Sequence, residues 1–243
     1  IGKAADITID TGNLIIADGG RITASAREWS EGDGGNITIK AADTVSISGY
    51  YDSGQSVFSS GLTSETFGKG SAGNITIDTN NLSITDAGSI TTSARAGSEG
   101  DGGNITIKAA DTVSISGSYD SGSSIYSSVI TSETFGKGSA GSITIDTNNL
   151  SITDNGTITT SARAGSEGDG GNITIKAADM VSISGYHILG DYIFSSGIFS
   201  ETSSGGKGGE ITVSGQCIYL NDMGLISASS TGTGNAGNIT AYW

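Results

Sequence analysis

The sequence repeats itself every 68 residues, and a period of that length has to be explained before any single element is assigned. Ile7, Ile75, Ile143 and Ile211 sit in the phrases DITID, NITID, SITID and EITV. Asn36, Asn104 and Asn172 head three copies of NITIKAAD. A residue present in every copy serves the repeat, whereas a residue found once is a candidate for a site.

Each repeat contains two turns of a coil. Over residues 73–104, Ile75 and Ile77 alternate with Thr76, Leu82 and Ile84 alternate with Ser83, and Ile90 precedes a Thr/Ser run. These are three short strands of period 2, separated by turn-forming residues. Residues 105–142 repeat the pattern, so the unit divides into turns of 30 and 38 residues. First strands begin at Ile7, Ile37, Ile75, Ile105, Ile143, Ile173 and Ile211, and an eighth at Ile239.

Hairpins would pair neighbouring strands antiparallel; a coil stacks each strand on its equivalent one turn later. The side-chain columns favour the coil. The position after each ITI reads Asp10, Lys40, Asp78, Lys108, Asp146, Lys176, Ser214. With strands about 4.8 Å apart, this stacking puts unlike charges together, and slipping by one turn would put Asp on Asp. Exposed pairs are worth at most about 1 kcal/mol, so the column sets register more than stability. Arg27, Phe67, Arg95, Phe135 and Arg163 alternate as cation and ring. Acidic SEGDGG corners alternate with lysine corners at Lys69, Lys137 and Lys207.

The expected fold is therefore all-β: a single-stranded right-handed parallel β-helix (β-solenoid) with three strands per turn and about seven turns. Its hand follows the general crossover rule. It forms one domain over residues 1–243, with repeats at about 7–74, 75–142 and 143–210 and a partial one at 211–243. A small-residue column, Ala24, Ser64, Thr92, Ser132, Thr160, Ser200 and Ala228, lies beside the aliphatic core, and its hydroxyls need partners, each other among them. Both ends of the coil expose ladder edges, which invite pairing. Neighbouring segments of the same chain, or end-to-end and lateral self-association, are the expected partners.

A net charge of −14 argues against nucleic acid or an anionic membrane as partner. No apolar run approaches the roughly 20 residues of a membrane-spanning helix. The chain opens inside the pattern without a charged-then-apolar leader, as expected of a piece of a longer polypeptide. Its one cysteine, Cys217, has no internal partner for a disulfide.

GNITIDTNNLSITDAGSITTSA (73–94), followed by GDGGNITIKAADTVSISG (100–117) and a variable loop, resembles the repeats of filamentous-haemagglutinin-like proteins. These are large secreted bacterial surface proteins exported by the two-partner route, with long cyanobacterial S-layer-like versions. The similarity covers residues 1–242. It implies a β-helical shaft, an extracellular cell-surface location and a role in adhesion or surface structure.

Other chemistries meet resistance in the residues. A polysaccharide-processing enzyme, the chief alternative, needs a polar cluster that breaks the repeat in one place, and the sequence shows none; His187 stands alone. The chain is accordingly read as not an enzyme, with no cofactor. Calcium takes turn oxygens, which makes Glu31, Asp33, Glu99, Asp101, Glu167 and Asp169 its weak candidates. Tight corners explain the same residues more simply. An ice-binding solenoid would use the ladder Thr8, Thr38, Thr76, Thr106, Thr144, Thr174, Thr212, Thr240. The charged column two residues on suits that role poorly, and Thr favours exposed strand positions in any case. The NIT and NLS triplets recur because the strand recurs.

What varies among copies is the insertion in every second turn: GYYDSGQSVFSSG (49–61), GSYDSGSSIYSSV (117–129) and GYHILGDYIFSSG (185–197). Tyr50, Tyr51, Phe58, Tyr119, Tyr126, Tyr186, Tyr192 and Phe194 lie here and are the candidate ligand contacts, for a glycan or a surface protein. Stacked on alternate turns they would form one aromatic ridge. Packing over the flank of the coil as a satellite core is the competing role.

Overall fold

Ile and Thr in strict alternation put one apolar face inward and one hydroxyl face outward on every strand. In the computed structural model, which describes residues 2–27, 30–95, 97–163, 165–203 and 205–243, the strands build two parallel sheets. The long sheet is nine-stranded. It stacks Ile7–Ala17, Ile37–Ser48, Ile75–Thr85, Ile105–Ser116, Ile143–Thr153 and Ile173–Ile183, then Ile211–Ser214 with Cys217–Leu220, and Ile239–Tyr242. The short sheet is seven-stranded: Arg21–Thr23, Gly61–Thr66, Ser89–Ala94, Val129–Thr134, Thr157–Ala162, Gly197–Thr202 and Leu225–Ser230. Each strand pairs in parallel with its equivalents one turn away. The molecule is a β-solenoid.

The first two segments of most turns run on as one strand, bent at a register irregularity. The cause is one extra residue in the KAAD coils, where Thr79 pairs with Ala109 but Asn81 with Thr112. Such a bulge leaves a carbonyl outside the ladder and turns the strand. The Thr79 hydroxyl donates to the Asp43 carbonyl at 3.2 Å, and Thr147 does the same for Asp111. In the last described turn the two segments, Ile211–Ser214 and Cys217–Leu220, stay separate.

The charge column has the expected register. Asp78 is the Cα partner of both Lys40 and Lys108, and Asp146 of both Lys108 and Lys176. Among the described residues their side chains form no ion pair, the ion pairs lying elsewhere. That fits a column that penalises slippage and contributes little to stability. The Thr column is equally in register, from Thr8 on Thr38 to Thr212 on Thr240.

Ile37, Ile75, Ile105, Ile143, Ile173 and Ile211 are fully buried, as are Ile90, Ile130, Ile158 and Ile198 from the short sheet. The buried hydroxyls beside them do not bond one another. Ser64 donates to the Gly35 carbonyl at 2.8 Å and accepts the Gly73 amide at 2.9 Å. Thr92 and Ser132 both donate to the Gly103 carbonyl, at 2.6 and 2.9 Å. These hydroxyls tie the short sheet to the glycine corner that opens the next turn.

At that corner the chain stacks backbone on backbone. A Cβ added at Gly73, Gly103, Gly141, Gly171 or Gly209 would overlap the carbonyl of the glycine one turn before. Corner amides are capped by side chains from the neighbouring turn. Asn36 Oδ1 accepts the Asn74 amide at 2.9 Å, and Asn74 Oδ1 accepts the Asn104 amide at 2.9 Å. The Asn residues of the NIT triplets thus hold the turns together.

Candidate functional site

The corner between the long and short sheets takes two alternating forms. In 30-residue turns it is a tight turn: Asp86 and Ala87 have φ of 52° and 70°, and the Gly88 amide donates to the Thr85 carbonyl at 2.9 Å. Two consecutive positive φ values with that bond define a type I′ turn. In 38-residue turns a β-hairpin replaces it. The first hairpin pairs Tyr50–Asp52 with Val57–Ser59, the second Ser118–Asp120 with Ile125–Ser127, and the third Tyr186–Leu189 with Tyr192–Ser195. The insertions are thus antiparallel ribbons. Their tips are set by local chemistry: Asp52 Oδ1 accepts the Gly54 amide at 2.7 Å, and Asp120 the Gly122 amide at 2.6 Å, with both glycines at positive φ.

Each hairpin is anchored at its base. Ser60, Ser128 and Ser196 are fully buried, and their hydroxyls accept the amides of Gly19, Ala87 and Asn155 in the tight turn of the adjoining coil, at 2.9, 3.2 and 2.9 Å.

Successive hairpins touch. The rings of Tyr50 and Tyr119 stack at 3.7 Å between centroids, 21° from parallel, and Tyr119 lies 6.2 Å from Tyr126. The Tyr119 hydroxyl donates to Asp52 Oδ2 at 2.7 Å. One repeat further on, His187 Nε2 is 3.3 Å from Asp120 Oδ2. His187 occupies the position of Tyr119, so the lone histidine replaces a tyrosine in a hairpin-to-hairpin contact. The candidate aromatics divide accordingly. Tyr50, Tyr119 and Tyr126 are half-buried in the stack, whereas Tyr51, Phe58, Tyr186, Tyr192 and Phe194 are exposed, Tyr192 at 74 %. The ridge is one ring stack over the first two hairpins; among the described residues no ring stack joins the second to the third.

Compared with known proteins, the chain matches no family model, no curated protein and no solved structure.

The turn acids have structural partners. Asp33, Asp101 and Asp169 each accept, through Oδ1, a corner amide of the next turn: Ser71 at 2.9 Å, Ser139 at 2.7 Å and Lys207 at 2.6 Å. Glu31 faces Lys69 at 3.9 Å, and Glu99 and Glu167 are exposed. Among the described residues no three His, Cys, Asp or Glu side chains lie close enough to share a metal ion.

A second set of residues is not apparent from the columns considered above. Arg95 pairs with Glu65 and Arg163 with Glu133, the latter also through Nε at 3.0 Å. Both glutamates are largely buried on the outer face of the short sheet, and Glu65 lies beside the first hairpin's Val57, Phe58 and Ser59. Arg95 also lies 5.7 Å from the Phe135 ring, the expected cation–π contact, so its guanidinium serves both an acid and a ring. The signal available was SET, recurring 30 residues before each arginine.

The hydrogen bond from Tyr119 holds the Asp52 carboxyl below its usual 3.8, helped by the Gly54 amide. The same bond, with burial and the carboxylate charge, pushes Tyr119 up to about 12 from 10.0. For the acid, the contribution to stability is present above the ordinary carboxylate value and is lost as pH falls through the lowered one. For the tyrosine, it is complete below pH 10.0 and is lost as pH rises through about 12. Ultraviolet titration of tyrosinate should show one group at about 12. Asp52→Asn should return it toward the ordinary value, and superimposable titration curves would refute the contact.

Proposed function

We propose that this chain is a stretch of shaft from a secreted bacterial surface protein, a structural and adhesive rod that presents hairpins for contact with a glycan or surface protein and carries out no chemistry of its own. One observation carries the reading: the segments that vary most among the copies are the hairpins, and all three rise from the same corner on alternate turns. A repeating scaffold makes a stiff support, and loops on a stiff support suit recognition. Exposed Tyr51, Phe58, Tyr192 and Phe194 supply flat apolar faces with few rotatable bonds, the side chains that give contact area at low entropic cost.

The alternate coils supply the test. Residues 49–60, 117–128 and 185–196 are replaced by Asp-Ala-Gly, the sequence at 86–88 that closes the corner without a hairpin. Circular dichroism should still report a β fold. Binding to a glycan array or to intact cell surfaces should fall at least about tenfold, and bound glycans should be recovered uncleaved. Undiminished binding by the hairpin-free shaft would refute the proposal.

A further inference from the structure

Arg21 is a residue that the repeat does not account for. It stands opposite Gly61 in the short sheet, and its column continues as Ser89, Val129, Thr157, Gly197 and Leu225. It is exposed, and among the described residues its side chain makes no hydrogen bond or ion pair. Two recesses on the outer face of the short sheet share it. One, about 270 Å³, is bordered by Arg21, Arg95, Ser89 and Thr91 and by Phe58 and Tyr126. The other, about 260 Å³, is bordered by Arg21, Arg27, Thr23, Ser25 and Phe67.

Three of the chain's four arginines therefore surround this pair of recesses. Among the described residues that border them, the one carboxylate is Glu65, which reaches both and is already paired with Arg95. Arg27 begins the column of Arg95 and Arg163, which each take a glutamate from the coil before; among the described residues it has no such partner. Three guanidiniums against one carboxylate leave the recesses positive. The excess is confined to this end of the face: Arg163 is matched by Glu133, and beyond Glu201 the arginine position is taken by Thr231. Although the chain carries −14 overall, charges are screened over about 8 Å at physiological ionic strength, so the nearest groups decide what binds here.

We infer that Arg21 anchors a carboxylated sugar, a hexuronate unit of an acidic glycan, in the recess beside the first hairpin. The inference rests on the adhesive reading above and names its ligand class. A guanidinium without a partner of its own presents a planar fork that meets a carboxylate with two parallel hydrogen bonds. Phe58 and Tyr126 offer flat apolar surface to the face of a pyranose ring, and Ser89 and Thr91 bring hydroxyls that can donate to and accept from those of the sugar. Arg95 is held by Glu65 and adds a fixed polar border, which leaves the charge of Arg21 for the ligand.

The test titrates the whole chain with trigalacturonate and triglucuronate, with the methyl ester of each, and with hexaglutamate as an acidic peptide. Methylation keeps the sugar and removes the charge, so the better-binding acid should exceed its ester by at least about tenfold. Arg21→Gln should weaken that acid at least about tenfold and bring it within about threefold of its ester. Because the Arg21 side chain has no bond to lose in the free protein, the variant should keep the parent's urea midpoint, which separates loss of binding from loss of fold. Failure of both acids to bind, esters that bind as tightly as the acids, undiminished binding by Arg21→Gln, or hexaglutamate binding as tightly as the sugars would each overturn the inference. The hairpin-free shaft decides the adhesive reading separately, since Arg21→Gln leaves all three hairpins in place.

Discussion

Changing Gly103 to alanine should lower the stability of the fold by about 3 kcal/mol, read as a fall in the urea midpoint, whereas Gly12→Ala should not lower it. At Gly103 an added Cβ overlaps the carbonyl of Gly73 in the turn beneath. That obstacle is backbone held in a ladder, so it yields only if two turns separate. Separation would also strain the bonds that Thr92 and Ser132 make to the Gly103 carbonyl, and the capping of the Asn104 amide by Asn74. Gly12, in the strand Ile7–Ala17, has nothing within 4 Å of the position its Cβ would take. Alanine there only narrows the unfolded ensemble, a gain of up to about 1 kcal/mol. Gly141→Ala should repeat the Gly103 result, because the same corner recurs one turn on. A mild effect at both positions would mean that the turns are not in backbone contact.

Much of this architecture was legible because a solenoid turns sequence period directly into spatial neighbourhood. Asp10, Lys40 and Asp78 are far apart in the chain, yet their order alone gave the parallel register that the strands adopt. Joining of the first two strands was not legible, since it depends on whether a bulge keeps its flanking bonds, and Thr79 settles that by reaching the Asp43 carbonyl. The partners of the buried hydroxyls were missed for a similar reason. Ser64 and Thr92 stand in one column, but each finds a glycine carbonyl across the coil nearer than its column neighbour's hydroxyl. In the candidate site the aromatics of the insertions were evident, but their division into a packed stack and an exposed crest was not. It follows from contacts between hairpins a whole repeat apart, such as Tyr119 with Asp52. The Glu65–Arg95 pair stayed hidden because it is diagonal: Glu65 lies opposite Ser93, and Arg95 reaches back across two residues.

That diagonal pair leads to the second large effect. Arg95→Ala should destabilise the chain by about 2–3 kcal/mol. Removing one partner of a fully buried ion pair costs about 3–5 kcal/mol, because the remaining charge is desolvated without compensation. Here the Glu65 side chain is 9 % exposed but Arg95 is 37 % exposed, so water screens one side and the lower figure applies. Loss of the guanidinium over the Phe135 ring adds a smaller share. Arg163→Ala should cost a similar amount, since Glu133 is in the same position one repeat later and 12 % exposed. The decisive measurement is a double-mutant cycle with Glu65→Gln. If the cost of Arg95→Ala comes from a stranded carboxylate, the double variant should be more stable than Arg95→Ala alone, with a coupling of about 1 kcal/mol or more. Additive losses would assign the arginine a packing role only, and the Glu–Arg pairs would then be incidental to the outer face of the short sheet.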